Sequence, residues 1–293
     1  MEQLIRTNKP KLSNSSVKTY LSVLHSLNKV LGKDDEHMET IFNDPASVIS
    51  VADKYKITRR KTIMSALTVL TTHEEKVAEV YRTELYKLIK EYDALMLEQK
   101  KSEKDEANWI DWSDVLKVYD EMVKDMAPIM KRKVRSDDDV QKLQLYVLLS
   151  LFVLIAPRRA KDWVDFKIRE IDTEKDNYFD AKQKLLVFNS YKTAKTYGKQ
   201  TVNVPTKLAT ILKKWIEVNP SDHLFFGILG KPVSQTGIAQ WFYKIFGRHV
   251  SVNALRHSYL TQFHSTKKSL KSMDSTAKDM GHSIKTSLQY AKE

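Results

Sequence analysis

Cysteine is absent from this 293-residue sequence. Disulfides, zinc knuckles and thiol nucleophiles are thereby excluded, and a reducing compartment is allowed. Glycine and proline number only seven each, and neither an internal repeat nor a low-complexity tract is visible. No run is long enough to span a bilayer: the longest apolar stretch, "LYVLLSLFVLIAP" (Leu145 to Pro157), falls short of the roughly 20 residues required and reads as a buried core helix ending at Pro157. The start, "MEQLIRTNKPKL", lacks the apolar stretch of a secretory signal, so an intracellular, non-secreted protein is expected. HExxH, P-loop and paired-carboxylate motifs are also missing.

What is abundant is positive charge. Lys and Arg total 49 against 37 Asp and Glu, a net charge of +12. That excess favours a polyanionic partner, nucleic acid before an anionic membrane surface, with a merely soluble basic protein left open. Hydrophobic content of 42% and charged content of 29% describe a globular chain. Its length suits one large or two ordinary domains.

"EQKKSEKDEAN" (Glu98 to Asn108) has a single apolar residue and divides the chain. The expected organisation is a helical domain over 1–100, a linker over 101–108 and a mixed domain over 109–293. In the first, Val17, Tyr20, Leu21, Leu24, Leu27 and Leu31 recur at helical spacing, as do Val77, Tyr81, Leu85, Leu88 and Tyr92. The second opens with helices and then turns strand-like. Leu185 to Phe188 form one strand, Val202 and Val204 alternate in another, and "TAKTYG" makes the turn between them. More helices close the chain. The fold class is α+β, mainly helical, with a small antiparallel sheet.

Four stretches hold candidate chemistry. "LIAPRRAKDW" delivers Arg158 and Arg159 to the end of the apolar helix, with Asp162 placed to orient Arg159 or to form a structural pair. "SYKTAKTYGKQ" puts Lys192 and Lys195 near a hairpin tip, either reaching a groove or solvated. "NALRHSYLT" sets Arg256 and His257 on an amphipathic helix, and "GHSIKTSLQY" carries His282 and Tyr290. The order Arg, Lys, Arg, His, Tyr suits breaking and rejoining a phosphodiester without a metal or other cofactor. Guanidiniums stabilise the phosphoryl charge, the lysine protonates the departing 5′ oxygen, and the tyrosine hydroxyl attacks phosphorus.

These stretches resemble the boxes of the tyrosine recombinase (phage-type integrase) family. "APRRAKDW" looks like its first-arginine box and assigns Arg159, with Asp162 as supporting acid. "FNSYKTAKTYGKQTVNVP" looks like the hairpin carrying the catalytic lysine and assigns Lys192. "NALRHSYLT" assigns Arg256, and "MGHSIKTSLQY" assigns His282 and the nucleophile Tyr290. The "PRR" wording is similar to recombinases of large DNA viruses, virophages and related mobile elements. The resemblance implies a DNA breaking-rejoining fold with a helical core-binding domain in front, a 3′-phosphotyrosine intermediate, and double-stranded DNA as partner. It also implies self-association on DNA, from dimer to tetramer, and no membrane role.

Two features depart from the family pattern. Asn253 stands where a histidine is usual, so an amide contacts phosphate there and proton transfer leans on Lys192 and His282. His257 matches the histidine that follows the second arginine, structural first and phosphate-contacting second. Only Ala291, Lys292 and Glu293 follow Tyr290, too few for the longer tail many relatives pass to a neighbour. Arg59, Arg60, Lys61 and the cluster Lys131, Arg132, Lys133, with Lys195, are expected phosphate contacts. "KRKVR" also resembles a nuclear-localisation run. Two rivals stay open: a type IB topoisomerase or telomere resolvase, and a DNA-binding regulator with weakened catalysis.

Overall fold

The apolar periodicity of the first hundred residues builds α1 (Glu2–Asn8), α2 (Asn14–Val30), α3 (Pro45–Ala52), α4 (Ile57–Leu70) and α5 (Glu75–Leu97). The computed structural model describes residues 1–32, 42–98, 100–101, 103–227, 230–265 and 269–291; Lys292 and Glu293 of the short tail lie outside them. It divides the chain into two units, Met1–Glu98 and Gln99–Glu293. In the first, Ser13 caps α2 by accepting from the Ser16 amide, and Asp44 caps α3 with Pro45 at its first turn. Helix α4 buries Ile63, Met64, Ala66, Leu67, Val69 and Leu70, which spread over more than half of the helix circumference. It is therefore the centre of this unit, packed between α2 and α5.

In the second unit the segment expected as linker is partly helical: α6 spans Glu103–Asn108. Its Glu, Lys and Ala are good helix formers, so low hydrophobicity did not imply irregular chain. Helices α7 (Trp112–Lys131) and α8 (Asp137–Val153) follow. A capping box between Ser136 and Asp139 starts α8. The helix stops at Val153, four residues before the expected end at Pro157. Proline lacks an amide to donate and disfavours helical backbone at Ala156, so the last turn is lost and Ala156 to Arg159 are free to run as a loop. Among the described residues no helix is long and apolar enough to cross a membrane.

After the short α9 (Lys161–Val164) come β1 (Tyr178–Asp180) and β2 (Leu185–Phe188). The expected hairpin turn contains a short helix, α10 (Ala194–Tyr197), which leads to β3 (Gln200–Asn203). The sheet is antiparallel in the order β1-β2-β3, and Phe179, Leu186 and Val202 lie side by side, all buried. Helices α11 (Thr206–Val218), α12 (Gln235–Phe246), α13 (Val252–Ser265), α14 (Leu270–Asp279) and α15 (Ile284–Tyr290) complete the unit.

The core of this unit surrounds α8, whose Leu143, Val147, Leu148, Leu149, Leu151 and Phe152 are all buried. Phe152 packs edge-on against Phe242 of α12 at 4.9 Å. Truncating it, Phe152→Ala, is expected to cost about 3–5 kcal/mol of stability, read from the denaturant midpoint. An unchanged midpoint would mean that α8 is not the centre of the core.

Candidate active site

The loop released by Pro157 places two adjacent arginines in different surroundings. Arg158 is wholly buried. Its Nε donates to Asp162 Oδ2 at 2.9 Å, Nη1 donates to the Asp279 carbonyl at 2.5 Å, and both Nη atoms reach Gln200 Oε1 at 3.2 and 3.1 Å. The guanidinium also lies over the Phe188 ring at 3.9 Å. Sequence spacing paired Asp162 with Arg159, and the structure corrects this: the carboxylate's direct partner is Arg158. The turn into α9 uses the Arg159 carbonyl to accept from the Asp162 amide, and four-residue spacing then brings Arg158 onto the carboxylate. Arg159 is half-buried and donates from Nη1 to the Gly281 carbonyl at 3.0 Å.

Helix α13 supplies Arg256, fully buried, its Nε donating to the Pro157 carbonyl at 3.2 Å. Its Nη2 lies 3.2 Å from His282 Nδ1. A guanidinium only donates, so Nδ1 accepts and the imidazole proton sits on Nε2. Burial first, then Arg256, Arg159 and Arg158, push the His282 pKa down to about 3, so the ring is neutral. Arg256 Nη1 and His282 Nε2 are both buried and make no hydrogen bond among the described residues. Two donor atoms of this contacting pair thus meet no acceptor by hydrogen-bond geometry, while the Arg256 side chain also bonds the Tyr290 hydroxyl.

Tyr290, at the end of α15, stands beside them. Its ring lies 5.6 Å from that of His282 and 4.5 Å from that of His257, with the Arg256 guanidinium 4.8 Å from its centroid. His257 Nδ1 donates to the Tyr290 carbonyl at 2.6 Å, which makes His257 the anchor of this helix end. A second tie, between His264 Nε2 and Ser287 Oγ at 2.9 Å, fastens α15 to α13. Burial alone would raise the Tyr290 pKa. Arg256, by charge and contact, and then Arg159 and Lys192 outweigh it and hold the hydroxyl below its ordinary value.

Lys192 is exposed on the loop before α10, its charge within reach of Tyr290. Its neighbour Thr193 donates to the Gly281 carbonyl at 3.0 Å, the same oxygen that Arg159 grips. Gly281 has a φ of +71°, and a Cβ there would lie 3.3 Å from Arg158 Nη2 and 3.4 Å from Arg159 Nη1. Gly281→Ala is therefore expected to lose about 1–2 kcal/mol from the left-handed backbone alone, read by urea unfolding; wild-type stability would rule out this tight turn.

The structure brings Arg159, Lys192, Arg256, His282 and Tyr290 together, with His257 behind the tyrosine. Asn253 is exposed and makes no such contact; with Trp109, His249, Ser251 and His257 it lines a cleft of about 440 Å³. Sequence reasoning missed Thr193, Gln200 and His264, whose partners are 88, 42 and 23 residues away. Their contacts carry no local signal. Among the described residues no three metal-ligating side chains cluster.

The expected outer phosphate contacts fare unevenly. Arg60 is ion-paired with Asp53 and lies 3.6 Å from Glu84, Lys61 covers the Tyr92 ring at 3.6 Å, and Arg132 binds Asp139 at 2.9 and 2.8 Å. These three charges already have internal partners. Arg59, Lys131, Lys133 and Lys195 are exposed, although Arg59 donates to Ser26.

No family model matches the sequence, and no curated protein matches it. Solved structures do. XerH site-specific recombinase bound to difH substrate, in a pre-cleavage complex, aligns over 99% of this chain and 91% of its own at 14% identity, with a TM-score of 0.54. A lambda integrase (75–356) dimer bound to a COC′ core site aligns over 99% and 92% at 13% identity, with a TM-score of 0.50. The chain has the fold of tyrosine recombinases, mostly helical with a three-stranded antiparallel sheet.

Proposed function

We propose that this chain is a site-specific DNA recombinase or integrase that cuts and rejoins strands through Tyr290. The observation that carries this reading is the pair of buried, unmatched donors, Arg256 Nη1 and His282 Nε2, beside a tyrosine whose hydroxyl is made more acidic by arginines. An anion with several acceptor oxygens fits that spot, and a backbone phosphodiester presents two beside a scissile bond. Arg159 and Arg256 stabilise the charge that builds on the phosphoryl oxygens, while neutral His282 donates from Nε2. The Tyr290 oxygen forms a bond to phosphorus as the P–O5′ bond breaks. Its proton passes to solvent, and Lys192 supplies one to the leaving 5′ oxygen. A 5′ hydroxyl attacking the 3′-phosphotyrosine reverses these steps, so rejoining needs no external energy source.

Of the two solved structures described above, one is bound to difH substrate and the other, a dimer, to a COC′ core site; double-stranded DNA as partner and self-association on it are carried to this chain as part of the proposal. Exposed Arg59, Lys131, Lys133 and Lys195 would add phosphate neutralisation, and the strands moved would be those of a mobile or viral element. Covalent capture tests the reading. Protein is incubated with fragmented DNA of its source and host, without added metal, and denatured. Linked fragments are then recovered and their ends sequenced. Ends sharing one sequence support a site-specific enzyme. Scattered ends favour the topoisomerase alternative, and no adduct despite DNA binding would overturn the reading in favour of a regulator.

A further inference from the structure

Arg158 touches neither the tyrosine nor the two unmatched donors, yet it has more side-chain partners than any residue of the site. Through Gln200 it holds the first residue of β3, and its guanidinium faces Phe188 at the end of β2 at 3.9 Å and Tyr191 at 5.2 Å. These groups are the two feet of the loop that carries Lys192. On its other side Nη1 grips the Asp279 carbonyl, three residues before His282. Asp162 anchors the guanidinium from beneath at 2.9 Å. A planar fork with five donors on three nitrogens can serve three spread acceptors at once, whereas the three donors of an ammonium leave from a single atom.

We infer that Arg158 is a positioning residue: it clamps the Lys192 loop to the turn bearing His282, so that protonation of the leaving 5′ oxygen depends on it. This inference rests on the phosphotyrosine reading given above. It divides the labour of two adjacent arginines, with Arg159 directed at the phosphate and Arg158 at the loop. Gly281 fits the same arrangement, because a Cβ there would press on both guanidiniums, at 3.3 and 3.4 Å. Desolvating Arg158 is costly, and one ion pair with Asp162 does not use its remaining donors; holding two segments in register does.

The clamp separates from a merely structural role by the chemistry of the leaving group. Duplexes carrying the captured site are made with either oxygen or sulfur as the bridging 5′ atom. When the P–S bond breaks, the thiolate departs without a proton because a thiol is far more acidic than an alcohol. Lys192→Ala should then be slow on the oxygen substrate and close to wild type on the sulfur one. Arg158→Lys keeps the charge and loses the fork. It is expected to cleave the oxygen substrate about a hundredfold more slowly, as for an ångström-scale misplacement of an acid, and to recover with sulfur. Gln200→Ala leaves the buried ion pair intact, and should show the same selectivity with a smaller loss. Equal losses on both substrates for Arg158→Lys and Gln200→Ala would overturn the clamp while leaving the tyrosine mechanism standing. A wild-type protein that attaches to neither substrate would overturn the mechanism and the clamp with it.

Discussion

Tyr290→Phe is expected to bind DNA with wild-type affinity and to form no covalent adduct. The ring makes most of the contacts that dock this residue, His257 at 4.5 Å, His282 at 5.6 Å and Arg256 at 4.8 Å, and the hydroxyl adds a hydrogen bond with Arg256. Its carbonyl is held separately by His257. Phenylalanine keeps the ring contacts and the carbonyl tie, so α15 stays in place, and the nucleophilic oxygen is lost together with its hydrogen bond to Arg256. Denaturing electrophoresis of end-labelled duplex reads the adduct, and a binding titration run alongside reads affinity. Adduct persisting in the variant would move the nucleophile elsewhere, and lost affinity would mean that the hydroxyl itself binds DNA.

Arg256→Ala is expected to slow single-turnover cleavage by about 10²–10³-fold, on the order of 3–4 kcal/mol of transition-state stabilisation, as for the loss of one oxyanion donor. The structural case is strong because one side chain has three tasks. Nε holds the Pro157 carbonyl, Nη2 fixes the His282 tautomer, and Nη1 meets no acceptor among the described residues, as the proposed phosphate contact requires. Removing it unpairs a buried carbonyl and frees His282 Nδ1 to carry the proton. Arg256→Lys should restore little, since one ammonium cannot reach all three. A wild-type cleavage rate in Arg256→Ala would remove Arg256 from the site.

Much of this was legible in the sequence because each part of the site occupies a short contiguous stretch. Arg256 with His257, and His282 with Tyr290, can be read from their own neighbourhoods. Helices such as α2 and α5 declare themselves by spacing alone. The parts that stayed hidden depend on geometry that spacing does not determine. Asp162 lies four residues from Arg158 and three from Arg159, and either pairing suits a helix; the break at Pro157 decides for Arg158. The end of α8 was misplaced for the same reason, since apolar residues continue past the last helical turn. Strand β1 is three residues long, too short for an alternating pattern to register. Thr193 and Gln200 look like ordinary loop and strand residues until the chain returns to them from far away.

Three guanidiniums, those of Arg158, Arg159 and Arg256, act on the buried carboxylate of Asp162, and among the described residues Asp279 is a second carboxyl near Arg158. In a poorly polarisable interior that imbalance is felt strongly. On the reading proposed above, the protein without DNA would be frustrated at this spot, and a bound phosphate would act as the missing counter-ion of the fold. Recognition and resistance to unfolding become one linked quantity: whatever binds there also stabilises the native state. At Arg256 itself two costs oppose each other: a neutral side chain of matching size would relieve the excess of positive charge but leave the Pro157 carbonyl and His282 Nδ1 without their donor.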